Sequence, residues 1–439
     1  MQHQRASCLA WVVLAVLALS SCDARIIRGL HQTAAGPIPS QQQRKLLQNP
    51  DAPALTQYGG LTMENIVPKN GYPLEKHAVD TPDGWRLNMY RIPHGKGQQP
   101  GPRPVVLLHH GITLSSACFT LLQPNESMAY VFADAGFDVW MANTRGNTFS
   151  RGNYNYSFRD PLYWRHSIDQ YALVDAPAQI DLALQVSGAK KLAVVGHSQG
   201  SSIMYALLSS KPEYNEKVSV ALHMGPVAFI ADIAPGVVKD MASVGNDNMF
   251  QDMQMPEFLW YRLLAPYVKQ CAGATAGAEC MSALNNLLFG PSSLIKPEDF
   301  ELILQTWPAS VSTRNLHHWA SMFRTAELDF SRYDYGTDCT STTMFQDSCN
   351  QAEYGSLAPP QYELSLITTP TVILKGTVDV LATPADIAEQ ERRLQMAGSH
   401  VATIEYPGFS HMDFIWQRQT QQHITDMIRY AKQYAEGTY

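Results

Sequence analysis

The stretch Lys191-Leu-Ala-Val-Val-Gly-His-Ser-Gln-Gly200 decides the fold. Its apolar half is typical of a buried strand, the pattern Gly-x-Ser-x-Gly follows at Gly196 to Gly200, and residues 201–208 form a helix-like run. A strand, a tight turn and a helix in this order predict a sharp elbow that exposes Ser198 beside a helix N-terminus. Glycine on each side indicates a turn with no room for bulk. The context favours a nucleophilic serine over a structural turn.

Apolar runs on both sides of this stretch alternate with helical ones. An antiparallel pair of strands is predicted around the turn Asp80 to Gly84. The predicted strands are residues 75–79, 85–92, 104–108, 137–142, 192–195, 218–222, 370–374 and 403–406. Continuous apolar strands that alternate with helices indicate a mostly parallel sheet covered on both faces, a doubly wound α/β core.

The chain divides into five predicted parts. Residues 1–22 are typical of a signal peptide, and residues 23–60, rich in Gln, Pro, Ala and Gly, of a flexible arm. The core is predicted at residues 61–225 and 366–439, with an insertion at residues 226–365. Met and aromatic residues at helical spacing predict a mainly helical cap or lid over the carboxyl edge of the sheet, where α/β sheets bind ligands. For most of these aromatic residues, packing within the cap itself is the simpler interpretation.

The N-terminus predicts entry into the secretory pathway. Arg5 precedes an apolar run, Leu9 to Leu19, that is too short to span a bilayer comfortably. Leu19-Ser-Ser-Cys22 resembles a bacterial lipidation site as well as an ordinary cleavage site, and ordinary cleavage is the preferred interpretation. We expect a secreted or lysosomal/vacuolar protein without a transmembrane segment.

Charge and composition argue against two classes of partner. The formal net charge is −7 and no dense Lys/Arg patch is present, so nucleic-acid binding is not indicated. No Cys-x-x-Cys pattern or His-flanked cluster occurs, so no metal is expected.

The cysteines and two sequons fit an oxidising compartment. Cys118 is expected to be a buried small hydrophobe. The candidate disulfides pair neighbours in sequence, Cys271 with Cys280 and Cys339 with Cys349. Asn125 and Asn155 are candidate glycosylation sites, although sequons also arise by chance.

A serine hydroxyl is a weak nucleophile that needs a general base, and the base needs an orienting carboxylate. Asp379 follows the predicted strand 370–374, and His411 lies in a Gly-containing loop after strand 403–406. Together with Ser198 they have the chain order Ser, Asp, His that serine hydrolases of the α/β class use. The weaker alternatives are His109, His110, His317 and His318 as bases, and Asp413 as the acid, for which helix capping is the simpler interpretation.

The negative charge of a tetrahedral intermediate requires hydrogen-bond donors. One is expected from the backbone N–H of Gln199, the residue after the nucleophile. The second is expected from the loop His109 to Thr113, in which Gly111 allows close approach and Ile112 supplies the N–H. A glycine turn with structural histidines is the alternative for this loop.

From about Asn65 to the C-terminus the chain resembles the acid lipase family, the gastric and lysosomal acid lipases with their plant and fungal relatives. The matching blocks are Val79-Asp-Thr-Pro-Asp-Gly-Trp85, Arg91-Ile-Pro-His-Gly95, His110-Gly-Ile112, Ala133-Asp-Ala-Gly-Phe-Asp-Val-Trp140, Asn143-Thr-Arg-Gly-Asn147, Tyr171-Ala-Leu-Val-Asp-Ala-Pro-Ala178, Gly196-His-Ser-Gln-Gly200, Pro308-Ala-Ser-Val-Ser-Thr313, Leu316-His-His-Trp-Ala-Ser321, Tyr333-Asp-Tyr-Gly336, Asp379-Val-Leu-Ala382 and His411-Met-Asp-Phe-Ile-Trp416.

The resemblance implies an α/β-hydrolase core, a cap with a movable lid and, in the cap region of Cys271 and Cys280, a disulfide. It assigns nucleophile, acid and base to Ser198, Asp379 and His411, and the oxyanion donors to Ile112 and Gln199. The chain departs from the family in two places. Ile112 stands where relatives usually have Leu, and Lys375 to Val378 replaces a pair of glycines before the acid.

The sequence therefore predicts a serine lipase that hydrolyses carboxylic esters of lipids, triacylglycerols or sterol esters, through an acyl-enzyme. No cofactor is implied, and the expected partner is a lipid ester at a lipid–water interface. Only acyl transfer rests on the residues themselves; the lipid substrate rests on the resemblance. Two alternatives stay open: a serine hydrolase of another substrate class on the same core, and a non-catalytic lipid-binding protein.

Overall fold

The structure, a computed structural model, describes residues 61–233, 254–258, 282, 285–296, 299–325 and 329–435. The predicted signal peptide, the arm, Cys271 and Cys280 lie outside these residues. The described part of the predicted insertion includes its C-terminal half and short pieces before it.

The strands of the described residues form two sheets. Their bounds are β1 (Glu75–Asp80), β2 (Trp85–Ile92), β3 (Val105–His109), β4 (Asp138–Met141), β5 (Gly152–Asn153), β6 (Leu192–His197), β7 (Val218–Met224), β8 (Glu257–Phe258), β9 (Val311–Ser312), β10 (Thr371–Gly376) and β11 (His400–Tyr406). The main sheet has the order β1-β2-β4-β3-β6-β7-β10-β11, with β5 paired to β2. The β1–β2 and β2–β4 pairs are antiparallel, whereas every pair from β4 to β11 is parallel. Strands β8 and β9 form a separate antiparallel pair.

Helices cover the connections between the parallel strands. The α-helices of the described residues are α1 (Met63–Lys69), α2 (Met128–Asp134), α3 (Ile168–Gln170), α4 (Ala176–Ser187), α5 (Gln199–Ser210), α6 (Phe300–Ile303), α7 (Thr313–Arg324), α8 (Asn350–Tyr354), α9 (Pro384–Ala397), α10 (Asp413–Trp416) and α11 (Gln422–Gln433). A π-helical turn, Tyr171–Asp175, joins α3 to α4. Within the described ranges, no helix is long and apolar enough to span a membrane.

Both faces of the parallel sheet are buried, which explains why its strands are apolar without alternation. In β3, Val106 and Leu108 belong to one hydrophobic cluster, while Val105 and Leu107 belong to the cluster on the opposite face. The sheet is therefore covered on both sides, as predicted for a doubly wound core.

The site-bearing edge follows from the strand order. Strand β3 lies between β4 and β6, so the connections that leave β3 and β6 run to opposite sides of the sheet. Such a reversal opens a crevice at the carboxyl ends of the strands, where ligands bind in this class of fold. The loops that carry Ile112, Ser198, Asp379 and His411 all follow carboxyl ends, those of β3, β6, β10 and β11.

All eight predicted strands are present within a few residues of their predicted bounds. One differs in character: β11 is an edge strand paired with β10 alone, and Tyr406 is its single buried residue. Its apolar and β-branched composition predicts a strand but does not reveal whether a neighbour covers its second edge. Cys118 is a free, buried thiol in the core, as its isolated position predicts.

Candidate active site

Ser198 occupies a strained turn between β6 and α5. Its backbone has φ 54° and ψ −123°, a left-handed conformation that residues other than glycine rarely adopt. The turn is closed on both sides: a Cβ atom on Gly196 would lie 2.7 Å from the Ser201 nitrogen, and one on Gly200 would overlap the His109 carbonyl oxygen. The local geometry is therefore that of a nucleophile elbow, and it explains why both flanking residues are glycine.

Asp379 and His411 form a buried hydrogen-bonded pair. The Asp379 Oδ2 to His411 Nδ1 distance is 2.8 Å, and the two side chains are 0% and 2% exposed. The other carboxylate oxygen of Asp379 accepts the backbone N–H groups of Leu381 and Ala382, at 2.8 and 2.9 Å. With Oδ1 fixed in this way, Oδ2 is held toward the imidazole, and the ring is oriented with Nδ1 toward the acid.

The second ring nitrogen of His411 remains available. Within the described residues, Nε2 is buried and has no hydrogen-bond partner, so no bond to the Ser198 hydroxyl is formed. Contacts that hold a catalytic histidine to its nucleophile are often long in the absence of substrate. The two residues are nevertheless linked through His197, next to Ser198, whose ring lies 5.0 Å from that of His411 between centroids.

The loop after β3 packs against the nucleophile. A Cβ atom on Gly111 would lie 2.9 Å from the Ser198 Cβ, so only glycine fits there. The backbone N–H groups of Ile112 and Gln199 have no acceptor among the described residues. Two unpaired N–H donors beside a nucleophilic hydroxyl form an arrangement that can stabilise an oxyanion.

Three residues near the acid and base were not predicted. His197 Nε2 donates to the His411 carbonyl oxygen at 2.9 Å, and burial beside His411 lowers the pKa of His197 to about 3, which keeps its ring neutral. Gly225 has φ 49°, and a Cβ there would lie 3.0 Å from Asp379 Oδ2. The Phe289 carbonyl accepts the His411 N–H at 3.0 Å, and its ring is stacked on that of His411. His197 was visible in the elbow motif, but its partner is 214 residues away.

The alternative residues have structural partners. Asp413 accepts hydrogen bonds from the Ser292 hydroxyl and the Ser410 N–H rather than from His411, and burial raises the pKa of its carboxyl group. His318 bonds the Ser331 carbonyl oxygen at 2.9 Å. Nearer the nucleophile, His110 Nε2 accepts hydrogen bonds from the Thr144 backbone N–H and the Asn147 side-chain amide.

The remaining predicted residues are the cysteines and the candidate glycosylation sites. Cys339 and Cys349 form a disulfide bond in the described structure, and Asn125 and Asn155 are exposed. Within the described ranges, no group of three or more His, Cys, Asp or Glu side chains could hold a metal ion.

Comparison with known proteins agrees with this geometry. Residues 63–123 match the partial alpha/beta-hydrolase lipase region, and residues 104–417 match the alpha/beta hydrolase fold. Mouse gastric triacylglycerol lipase is 32% identical over 368 residues, 82% of this chain and 88% of its own length. This chain belongs to the gastric lipase family of α/β-hydrolases. Mouse lipase member K is 32% identical over 402 residues, 90% of this chain and 95% of its own length. Human gastric triacylglycerol lipase is 30% identical over 391 residues, 87% of this chain and 92% of its own.

Membership of the gastric lipase family confirms the predicted fold class and the resemblance to the acid lipases. The predicted class of enzyme, a carboxylic ester hydrolase, is confirmed as well.

The structure also explains how this family member builds its acid loop without a pair of glycines. Gly376 packs against the Phe409 backbone so closely that a Cβ there would overlap the Phe409 carbonyl oxygen. Thr377 and Val378 donate backbone N–H groups to Tyr406 and Phe409, at 3.2 and 3.1 Å. A single glycine is therefore enough, because the two residues after it bond to the loop that carries His411.

Proposed function

We propose that this chain is a secretory-pathway serine lipase that hydrolyses carboxylic esters of lipids through an acyl-enzyme on Ser198. The observation that carries the proposal is the buried 2.8 Å contact between Asp379 and His411, placed at the edge of the sheet where the Ser198 elbow lies. A neutral imidazole held by a carboxylate is the base that a serine hydroxyl needs.

Each residue has a role in the proposed reaction. Ser198 Oγ attacks the acyl carbonyl carbon while His411 Nε2 takes its proton, and Asp379 stabilises the imidazolium that results. The carbonyl oxygen becomes an oxyanion that accepts the N–H groups of Gln199 and Ile112. His411 then gives the proton to the alcohol oxygen as the alcohol leaves, and the acyl group remains bound to Ser198 Oγ as an ester. In the second half, water attacks the acyl carbon and gives its proton to His411. His411 then returns that proton to Ser198 Oγ as the bond between Oγ and the acyl carbon breaks, which releases the carboxylic acid and regenerates the free enzyme.

The lipid substrate is supported by the relatives. Those named gastric triacylglycerol lipase match this chain over about nine tenths of their own length. The N-terminal sequence supports the secretory pathway, and its apolar segment lies outside the described residues. We propose a lipid–water interface as the place where substrate is encountered.

A panel of esters tests the function. We expect the wild-type protein to release fatty acid from emulsified long-chain triacylglycerol or sterol ester, and the Ser198→Ala variant to lose at least about 10⁴-fold in rate. The folded state of the variant is checked by its melting temperature. Hydrolysis of a soluble short ester alone would identify an esterase instead, and hydrolysis by neither protein would favour the lipid-binding alternative.

A further inference from the structure

The loop that carries Ile112 is held by a stretch of the predicted cap. Thr113, the next residue, has φ 59°, a conformation that costs energy for a β-branched side chain. Its carbonyl oxygen accepts the Ala309 N–H at 2.6 Å, and its hydroxyl oxygen accepts the Trp307 indole N–H at 3.2 Å. These two bonds supply the external support that a strained loop requires.

The residue that carries the other oxyanion donor is held by the same stretch. The Gln199 side-chain oxygen accepts the Asn315 amide N–H at 2.7 Å and the Trp319 indole N–H at 2.8 Å. Gln199 and Asn315 are 3% and 0% exposed, so the bond between them is shielded from water, whereas the bond from Trp319 is part-buried. An amide oxygen has two lone pairs, and both are used here.

We propose that Trp307, Asn315 and Trp319 are positioning residues. They hold the two oxyanion donors at the position relative to Ser198 that the reaction requires. We define the cap clamp as residues 307–319. Through these bonds it contacts neither the acid nor the base, but it holds both Thr113 and Gln199. The proposal rests on the proposed function, because it deepens the role of the Ile112 and Gln199 N–H groups.

Positioning matters because an oxyanion donor acts only over a short distance. Oxyanion donors act when they lie about 2.7–3.1 Å from the developing charge, and a displaced donor forfeits much of its effect on the transition state. Gln199 is the first residue of α5, where the backbone N–H has no partner in its own helix. Its side chain is therefore the anchor that keeps this N–H from turning away, and the clamp is what the side chain is anchored to.

A purely structural role for these bonds predicts a different outcome. Loss of cap stability would reduce the fraction of folded enzyme, which lowers the apparent kcat but changes neither KM nor the affinity of an inhibitor for the folded enzyme. Loss of donor position acts on the transition state, so it lowers kcat while KM is retained. It also weakens a trifluoromethyl ketone inhibitor, which forms an oxyanion on the serine, by the same factor as kcat.

The test uses Trp319→Phe, which retains an aromatic ring and removes the indole N–H. With a soluble short ester we expect kcat to fall roughly tenfold, KM to stay within twofold, and trifluoromethyl ketone affinity to fall with kcat. The pH dependence of kcat should stay at its wild-type position, since His411 is not displaced. Asn315→Leu, which removes the other donor, should act in the same direction and serves if Trp319→Phe folds poorly.

A double-mutant cycle shows whether Trp319 acts through Gln199. Gln199→Met removes the acceptor oxygen, so adding Trp319→Phe to it should cost little more. The matched control is Trp164→Phe, since the Trp164 indole N–H bonds the Phe158 carbonyl oxygen at 2.8 Å, away from both donors. We expect wild-type kcat for this control.

Two results would overturn the proposal: wild-type kcat and inhibitor affinity in Trp319→Phe and Asn315→Leu, or additive effects in the Gln199→Met cycle. Failure of the proposed function would appear differently, as wild-type protein that hydrolyses no ester and forms no inhibitor adduct.

Discussion

Asp379 has three N–H groups facing its two oxygens, those of Leu381, Ala382 and His411. A carboxylate accepts all three, whereas an amide has one oxygen and must turn its NH₂ toward at least one donor. The acid is therefore required at this position for its hydrogen-bonding capacity as well as for its charge.

Asp379→Asn is expected to lower kcat by about 10³–10⁴-fold with little change in shape. If the amide oxygen keeps the two backbone N–H groups, its NH₂ faces His411 Nδ1 and forces the proton onto Nε2, where the base must be free. Steady-state hydrolysis of a soluble ester measures the loss.

Asp413→Asn is the matched control for that substitution. Its partners, the Ser292 hydroxyl and the Ser410 N–H, can be satisfied by one amide NH₂ and one amide oxygen. We expect kcat within a few-fold of wild type. A larger loss of kcat in Asp413→Asn than in Asp379→Asn would show that the acid is Asp413 and not Asp379.

The sequence predicts Ser198, Asp379 and His411 because each follows a recognisable strand in the expected order. It does not predict Gly225, His197 or the Gln199 contacts. Each of these contacts joins loops that are far apart in the sequence, and no local sequence pattern predicts which loops come into contact. Gly196 is constrained by atoms of the elbow itself, whereas the constraint on Gly200 comes from the His109 carbonyl oxygen at the end of β3, so Gly200 was predictable from the motif alone.

The strands of the parallel sheet were predicted from continuous apolar runs, because a doubly wound sheet hides both faces of its strands. Such runs do not show how a loop is attached to a neighbouring element. Arg145, in the loop after β4, is 2% exposed and pairs with Asp175 at the end of the π-helical turn, with an Nε to Oδ1 distance of 3.0 Å. This pair joins the loop after β4 to the π-helical turn.

Asp175→Ala is expected to lower the free energy of unfolding by about 3 kcal/mol, because it removes the main partner of a buried guanidinium and leaves it paired with Asp83, which is half-exposed. Urea unfolding measures the change. Asp181→Ala removes an acid that pairs with Lys217 at the surface, 2.6 Å apart, and should cost about 1 kcal/mol or less. Equal losses in the two variants would contradict the structural role assigned to the buried pair.

The folded molecule as a whole buries several histidines in the neutral state. Burial lowers the pKa of five of them to about 3 or 4: His109, His110, His197, His223 and His423. The unfolded chain binds protons at these residues below about pH 6.5. Their contribution to stability is therefore present above that pH and is lost as pH falls toward 3 or 4.

His223→Leu tests this dependence at one residue. Neither ring nitrogen of His223 has a partner in the described part of the chain, so the substitution breaks no hydrogen bond there. Between pH 6 and 4 we expect the variant to lose less stability than wild type, by up to about 1.4 kcal/mol per pH unit.

Buried aspartates change the pH dependence of stability in the opposite direction. The stability of His223→Leu is therefore compared with that of wild type at each pH. Burial raises the pKa of Asp138, Asp175, Asp386 and Asp413, which favours the folded state as pH falls. If the stability of wild type and of His223→Leu depended on pH in the same way, His223 would be protonated equally in the folded and unfolded states.

Covalent labelling at Ser198 tests the central claim most directly. The protein is treated with a fluorophosphonate, and the modified residue is located by mass spectrometry, with Ser198→Ala treated in parallel. We predict one adduct, on Ser198 in the wild-type protein, with loss of ester hydrolysis in proportion to labelling, and no adduct in the variant. An adduct on another residue, or an unlabelled protein that still hydrolyses esters, would contradict the assignment of Ser198 as the nucleophile.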